Sequence, residues 1–108
     1  MHISILRLHA KPGTASDIID YYRHHGILDA ADCLWSHLAV EDTDPDTLIV
    51  VTGWSDLAQM QRWYSDPRRQ EWAIGLAAFI ASMEDVSSSG YGVRLSSAGG
   101  LRNSTLEG

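Results

Sequence analysis

The sequence has little cysteine, no basic runs and no long apolar stretches, and each shortage excludes a class of protein. Cys33 is the single cysteine, so no disulfide can form within the chain, which fits a reducing cytosol. Lys and Arg number 8 against 14 Asp and Glu. Nucleic-acid binding needs a basic surface that releases counterions from phosphates, so we expect no nucleic-acid partner. No apolar stretch approaches the ~20 residues of a membrane span. Nor does the N-terminus resemble a signal peptide, so we expect a cytoplasmic protein without a membrane partner.

The composition that remains is that of one globular domain. Hydrophobic residues make up 44% of the 108 residues and charged residues 20%. We place the domain at residues 1–95 and expect the Ser/Gly-rich residues 96–108 to form a flexible tail. A chain of this length buries only about two-thirds of its unfolded surface, so it is often helped by a partner subunit.

Apolar periodicity and turn residues predict four strands. Alternating or continuous apolar residues place them at 2–10, 33–41, 48–54 and within 86–95. The Asp- and Pro-rich residues 42–46 predict the turn between the second and third strands.

Helical spacing predicts three helices. The first begins after Thr14 as its N-cap and ends at Gly26, the second is capped by Ser55, and the third has Pro67 in its first turn. The third helix is predicted to carry an apolar stripe at Trp72, Leu76, Phe79, Ile80 and Met83.

The resulting order, β-α-β-β-α-α-β, predicts an α+β fold. It is close to the ferredoxin-like split βαβ arrangement, a four-stranded antiparallel sheet with helices on one face. The strands at 2–10 and 48–54 are apolar on both faces, and an uncovered apolar face exceeds what soluble monomers usually expose. We therefore expect a second copy to cover that face, which gives a homodimer in the form of a dimeric α/β barrel.

Three short motifs and one longer stretch resemble a known family. "KPG" follows the first strand, "WSD" follows the third, and Trp63 and Trp72 flank "SDP". Residues 3–95 with these motifs resemble the antibiotic biosynthesis monooxygenase domain, a dimeric α+β barrel. Within that superfamily, "GTASDIIDYYRHHGI" (residues 13–27) resembles the first helix of bacterial heme-degrading monooxygenases.

The residues that handle heme in those relatives are only partly present. The resemblance carries a pocket tryptophan onto Trp63, the iron-binding histidine onto Trp72 and a pocket asparagine onto Leu6. An indole N–H only donates, so it offers iron no lone pair, and leucine cannot hydrogen-bond a bound ligand. We therefore expect neither heme nor another cofactor. A metal site is not expected either, because the consecutive His24 and His25 point about 100° apart on a helix.

The same positions predict a cleft for a flat organic molecule. Trp63 and Trp72 are expected to face Leu6 and its neighbours on the first strand, with Trp54 as a further substrate-binding residue. Plain core packing is an alternative for both Trp63 and Trp72. For Trp54, a structural role is favoured over substrate binding. The resemblance implies cofactor-independent oxidation of anthrone-like, polyketide-derived aromatics in secondary metabolism, in which the substrate's own carbanion reacts with oxygen.

Three residues are candidates for catalysis, each with a structural alternative. His37 could be a general base, because imidazole is the side chain suited to proton transfer near neutral pH, although a lone strand histidine is more often non-catalytic. Arg7 alternates with Ile3 and Ile5, so it points toward the dimer interface, where an ion pair is the alternative. Tyr91 could reach a ligand with its phenol or serve in packing.

Four functions follow in order of preference. The first is a cofactor-independent monooxygenase, and the second is a cyclase or isomerase using the same cleft without oxygen. The third is a non-catalytic protein that binds a small molecule. Heme degradation comes last, because two of the three heme-pocket positions are replaced.

Overall fold

The structure is a computed structural model that describes residues 1–97. Its strands are β1 (His2–His9), β2 (Trp35–Glu41), β3 (Asp44–Trp54) and β4 (Ser87–Gly92). Its helices are α1 (Ala15–His25), α2 (Ile27–Ala30), α3 (Leu57–Tyr64) and α4 (Arg68–Leu76), and a 3-10 turn follows at Met83–Asp85. The tail predicted for residues 96–108 lies almost entirely outside the described residues. Within residues 1–97, no helix is long and apolar enough to cross a membrane.

The four strands form one antiparallel sheet in the order β2-β3-β1-β4. β1 therefore lies in the interior, between β3 and β4, although it comes first in the chain. β1 and β2 are connected through helices and run parallel, and β3 lies between them, antiparallel to both. This is the ferredoxin-like split βαβ arrangement. The predicted α+β fold class is confirmed.

The two faces of the sheet have different environments because successive side chains point in opposite directions. Ser4, Leu6 and Leu8 of β1 point to the helices, on the side that we call the helix face. Ile3, Ile5 and Arg7 point away from the helices. Their cross-strand partners share this side, which we call the open face: Gly53, Val51 and Ile49 of β3, Trp35, His37 and Ala39 of β2, and Ser87, Ser89 and Tyr91 of β4.

The hydrophobic core lies between the helix face and the helices. Its larger cluster joins Leu8, Leu48 and Val50 of the sheet to Ile18 of α1 and Leu76 of α4. A smaller cluster is formed by Trp54, Ala31 and Met60. Partly buried Trp63 packs against both clusters, so the two cores meet at this side chain.

The helix ends agree with the predictions at two positions and differ at two. Gly26 ends α1 in the left-handed conformation (φ 60°), as predicted. Thr14 is the N-cap residue of α1, also as predicted, although its hydroxyl donates to the carbonyls of Lys11 and Phe79 and makes no capping hydrogen bond.

The starts of the two later helices lie one residue beyond the predicted positions. Asp56, not Ser55, caps α3, and its carboxylate accepts from the backbone N–H of Gln59 at 2.8 Å. A carboxylate has two acceptor oxygens, which makes aspartate a good cap. Pro67 is the N-cap of α4 and not part of its first turn.

The prediction of a long third helix is wrong after Leu76. The chain leaves α4 there because β1 and the loop that follows it supply other hydrogen-bond partners. Lys11 N–H donates to Phe79 O at 2.8 Å, and Ala81 N–H donates to His9 O at 2.8 Å. Ile80 forms an isolated bridge with Ala10.

The turn between β2 and β3 is shorter than the predicted turn at residues 42–46. The short helix α2 was also not predicted. Only residues 42–43 form the turn, and β3 already begins at Asp44. The Asp44 carboxylate organises this start, because it accepts from Thr47 Oγ1 at 2.6 Å and from Asp46 N–H at 3.1 Å. These hydrogen bonds lower the pKa of Asp44, with the Thr47 contact contributing most. β2 begins at Trp35, two residues after the predicted start.

Gly53 allows the indole of Trp35 to lie across the open face. A Cβ at this position would overlap the ring atoms of Trp35. Gly53→Ala is therefore expected to displace the indole and to lower the free energy of unfolding by about 1–3 kcal/mol. Urea denaturation measures the loss. Gly90→Ala is the control, because its Cβ would meet only the flexible end of Met60 at 3.3 Å. Equal losses in both variants would contradict a specific Trp35 contact.

Candidate functional site

A cavity of about 140 Å³ lies between the helix face and the helices. Leu6, Leu8 and Val50 form its floor on the sheet. Its walls come from all four helical segments and from β4, so almost every element of the fold contributes. The lining is mainly apolar, which suits an organic ligand with few polar groups.

Trp63 and Trp72 stand side by side in the wall of this cavity. Trp63 lies on α3 and Trp72 on α4, and their ring centroids are 6.0 Å apart with planes inclined by 40°. The Asp66-Pro67 break between the helices makes this pairing possible. The Asp66 carboxylate accepts from the backbone N–H of Arg68 at 2.9 Å and forms an ion pair with its guanidinium at 2.6 Å. These contacts, the side-chain hydrogen bond above all, lower the pKa of Asp66 and fix the start of α4.

Most polar side chains around the cavity already have protein partners. Ser4 Oγ accepts from Trp54 Nε1 at 3.0 Å. The hydroxyls of Ser36 and Thr52 are 3.0 Å apart, and those of Tyr64 and Ser88 are 2.8 Å apart. Each of these side chains therefore already has one hydrogen bond to the protein, although a hydroxyl keeps capacity for a further one.

Among the described residues, the Tyr22 hydroxyl has no such partner, and the Arg69 guanidinium has only a backbone carbonyl. Tyr22 is only 7% exposed, lines the cavity, and its hydroxyl has no hydrogen-bond partner within residues 1–97. Burial raises the pKa of Tyr22 to about 12, although the positive charge of Arg69 acts in the opposite direction. The phenol is therefore protonated at neutral pH.

The Arg69 guanidinium reaches the cavity over two aromatic rings. Its carbon lies 4.8 Å from the ring centroid of Tyr64 and 5.7 Å from that of Trp63. One guanidinium nitrogen donates to the Tyr64 carbonyl at 3.4 Å. In the described part of the chain, no carboxylate pairs with Arg69, whereas Asp66 pairs with the neighbouring Arg68.

Sequence reasoning brought Leu6, Trp63 and Trp72 together and missed Tyr22 and Arg69. Tyr22 follows Ala15, Ile18 and Ile19 at helical spacing, which favours a packing role on the first helix. The signal was available, because a tyrosine on a buried helix face needs a partner for its hydroxyl. For Arg69 the signal was its position three residues before Trp72, which places both on one side of a helix.

The structure does not bring the predicted catalytic residues to the cavity. His37, Arg7 and Tyr91 all belong to the open face, on the other side of the sheet. The His37 ring lies against that of Trp35, with centroids 5.8 Å apart. Arg7 forms a half-exposed ion pair with Glu41 at 3.1 Å, and Tyr91 is 52% exposed.

Trp54 is also outside the cavity lining, although it lies on the helix face. Its side chain is fully buried with Ala31 and Met60, and its N–H donates to Ser4. Ser4 lines the cavity, so Trp54 supports the site from behind and does not contact the space inside it.

The lining does not fit heme. Among the described residues, no histidine or cysteine lines the cavity, and Leu6 and Trp72 stand at the two positions where the resemblance to heme-degrading monooxygenases had implied an asparagine and an iron-binding histidine. An indole cannot ligate iron. The volume is also below the roughly 300–1,000 Å³ of sites for drug-sized ligands. Elsewhere in residues 1–97, no cluster of three or more His, Cys, Asp or Glu side chains could hold a metal ion.

Comparison with known proteins identifies relatives of both the sequence and the fold. Residues 1–73 match the model of a family described as antibiotic biosynthesis monooxygenase. Comparison with curated proteins finds no match.

Several solved structures have the same fold. A candidate antibiotic biosynthesis monooxygenase from Deinococcus radiodurans superposes with a TM-score of 0.75 at 19% identity, over 89% of this chain and 95% of that one. PA3566 from Pseudomonas aeruginosa gives 0.67 at 21% identity, over 88% and 94%. Rv0793 from Mycobacterium tuberculosis gives 0.69 at 13% identity, over 90% and 97%. These similarities establish the shared fold.

Proposed function

The chain belongs to the antibiotic biosynthesis monooxygenase family, and we propose that it is a cofactor-independent monooxygenase for a hydrophobic, aromatic, polyketide-like small molecule. The observation that supports this proposal is the apolar cavity walled by Trp63 and Trp72. Two adjacent indoles offer flat apolar surfaces to a flat substrate, and aromatic pairs of this kind contribute about 0.5–1.5 kcal/mol beyond their buried area.

The reaction that we propose needs no external reductant. A substrate CH₂ group beside a carbonyl loses a proton to give a carbanion, which transfers electrons to O₂. One oxygen atom forms the new C=O group and the other leaves as water, with the two hydrogens of the CH₂ group. The four electrons taken up by O₂ all come from the carbon that is oxidised. The chain's task is to bind the substrate, exclude bulk water and stabilise the anion.

A non-catalytic binding role is the second candidate, and one observation favours it. Among the described residues, no Asp, Glu, His or Lys lines the cavity, so no ordinary general base faces the ligand. A monooxygenase with this lining must release the substrate proton to water. A binding protein has no such requirement.

We further propose that two copies associate through their open faces. Ile3, Ile5, Ile49 and Val51 give this face an apolar centre that no helix within residues 1–97 covers. All four are only partly exposed, because they pack side by side on the sheet. A second copy applied by two-fold symmetry would bury this centre and leave both cavities accessible on the outer sides.

Replacing Trp72 tests the proposed oxygenation. With an anthrone substrate, we expect Trp72→Ala to lower kcat/KM for oxygen uptake about 10- to 100-fold, because one wall of the cavity is lost. Trp72→Phe should retain most of the activity, since a flat ring remains. An oxygen electrode measures the rate, and circular dichroism verifies folding.

Ile74→Ala is the control for this experiment. Ile74 lies on the same helix but is 72% exposed, so its variant should match the wild type. Oxygen-independent conversion of the anthrone would indicate the cyclase or isomerase instead. Quenching of tryptophan fluorescence without any turnover would indicate the binding protein.

A further inference from the structure

We propose that the cavity binds its ligand as an anion, a small planar aromatic whose ionised oxygen lies between the Tyr22 hydroxyl and the Arg69 guanidinium. This inference deepens the proposed function and rests on it, because it specifies the charge and size of the substrate. It also assigns specificity to two residues that contact the ligand, Tyr22 and Arg69.

The first argument is the set of polar groups left free around the cavity. Ser4, Ser36, Thr52, Tyr64 and Ser88 are all engaged within the protein. The polar groups of the described lining without a side-chain partner are the Tyr22 hydroxyl, the Arg69 guanidinium and the indole N–H groups of Trp63 and Trp72. The guanidinium and the indoles can only donate, and the phenol is the sole group that could also accept. Donors gathered around an apolar space favour a ligand that accepts hydrogen bonds.

The second argument is the unpaired charge of Arg69. In the described chain, Arg7, Arg23 and Arg68 each have a carboxylate within 3.1 Å. Arg69 is half-buried and has only the carbonyl of Tyr64, at 3.4 Å. A partly desolvated cation without a counter-ion is costly, and an anionic ligand would supply the missing charge. The Asp66 carboxylate interacts with Arg69 only weakly and through space, because its hydrogen bonds go to Arg68.

The third argument is the state of the Tyr22 phenol. Its pKa of about 12 keeps it protonated at neutral pH, so it can donate to a ligand oxygen. It is buried and has no protein partner in residues 1–97, and a buried hydroxyl left unsatisfied is destabilising. A hydrogen bond to an anionic oxygen is shorter and stronger than one to a neutral oxygen.

The volume limits the size of the ligand. An apolar cavity of about 150 Å³ is known to hold benzene, and this cavity has about 140 Å³. One ring therefore fits against Trp63 and Trp72. A fused three-ring anthrone needs more space than this form of the cavity provides, so the side chains of the wall would have to move to admit it.

An anion site also explains how oxygenation could proceed without a general base. A positive charge beside the ligand favours the ionised form of a phenol or enol and lowers its pKa. Arg69 would thus promote loss of the substrate proton to water, and Tyr22 would stabilise the oxygen that carries the resulting charge. The electron-rich anion is the form that reacts with O₂.

The test uses 4-nitrophenol, a single-ring probe whose neutral and ionised forms absorb at different wavelengths. A pH titration of the bound probe gives its pKa in the cavity. We expect this pKa to fall by about one unit or more below that of the free probe, which corresponds to at least tenfold tighter binding of the anion. Quenching of tryptophan fluorescence gives the affinity of each form.

Two variants and one control assign the effect. Arg69→Met should abolish the preference for the ionised probe while the neutral form still binds. Tyr22→Phe should reduce the preference about threefold or more, since it removes one donor. Arg62→Met changes the net charge equally on exposed α3, outside the lining, and should behave as the wild type. If Arg69→Met does not fold, the pKa of the probe on the wild type alone decides the proposal.

The outcomes separate this inference from the proposed function. An unchanged or raised pKa of the bound probe, or an unaltered preference in Arg69→Met, would overturn the anion site and leave the monooxygenase proposal standing. Binding of neither form would overturn the anion site, and it would overturn both proposals if oxygen uptake with an anthrone also failed. A lowered pKa together with failure of oxygen uptake across anthrone and phenol substrates would uphold the anion site and refute the monooxygenase.

Discussion

Replacing Trp54 with alanine should lower the free energy of unfolding by about 3–5 kcal/mol. The side chain is 0% exposed and holds together the smaller core cluster with Ala31 and Met60. Its removal would leave a large space that the surrounding strands cannot fill. It would also leave the Ser4 hydroxyl without the indole N–H that it accepts at 3.0 Å. Equilibrium denaturation in urea measures the loss.

Trp54→Phe divides this loss between packing and hydrogen bonding. It keeps an aromatic ring in the core but removes the N–H, so we expect a smaller loss of about 1–2 kcal/mol.

The same variant addresses the predicted role of Trp54 in substrate binding. Because the indole does not line the cavity, the ligand affinity of Trp54→Phe should equal that of the wild type. A stable Trp54→Phe protein with a large loss of affinity would show that the indole does act on the ligand.

Placing a carboxylate at the centre of the open face should separate the proposed dimer. Val51 lies between Ile5 of β1 and His37 of β2. In a two-fold dimer, Val51→Glu introduces a buried charge in each copy, and an unpaired buried charge costs several kcal/mol. We expect the dissociation constant to rise about 100-fold or more. Sedimentation velocity over a range of concentrations measures the change.

Ile74→Glu is the matched control for association. It introduces the same charge on α4, at a side chain that is 72% exposed and lies outside the open face. This variant should sediment as the wild type does. A wild-type protein that sediments as a monomer at all concentrations would refute the dimer, as would a Val51→Glu protein that remains dimeric.

The sequence predicted the fold well because the sheet is specified by local alternation. In β1 one apolar set, Ile3 with Ile5, has odd residue numbers and the other, Leu6 with Leu8, has even ones. Because successive side chains of a strand alternate, this difference fixes which face each residue occupies. The same rule placed Arg7 and Leu6 on opposite faces of the sheet. A catalytic Arg7 and a cleft over Leu6 could therefore not both belong to one cavity. The conflict was visible before the structure, which resolves it by leaving Arg7 on the open face.

Features that depend on contacts distant in the chain were beyond the sequence. The end of α4 depends on backbone hydrogen bonds with His9 and Lys11, more than sixty positions away, and no local signal encodes them. The lack of a hydrogen-bond partner for the Tyr22 hydroxyl also depends on distant parts of the chain. It depends on which groups the fold brings nearby, and sequence spacing gives only the requirement for a partner.

The alternation in β1 also constrains how this protein can change in evolution. Loss or gain of one codon within the strand would exchange its two faces, turning Arg7 toward the cavity and Leu6 toward the open face. Such a frame-preserving change would damage the cavity and the proposed association surface in one step. We therefore expect descendants of this gene to vary in length at the turns and to keep the length of β1 fixed.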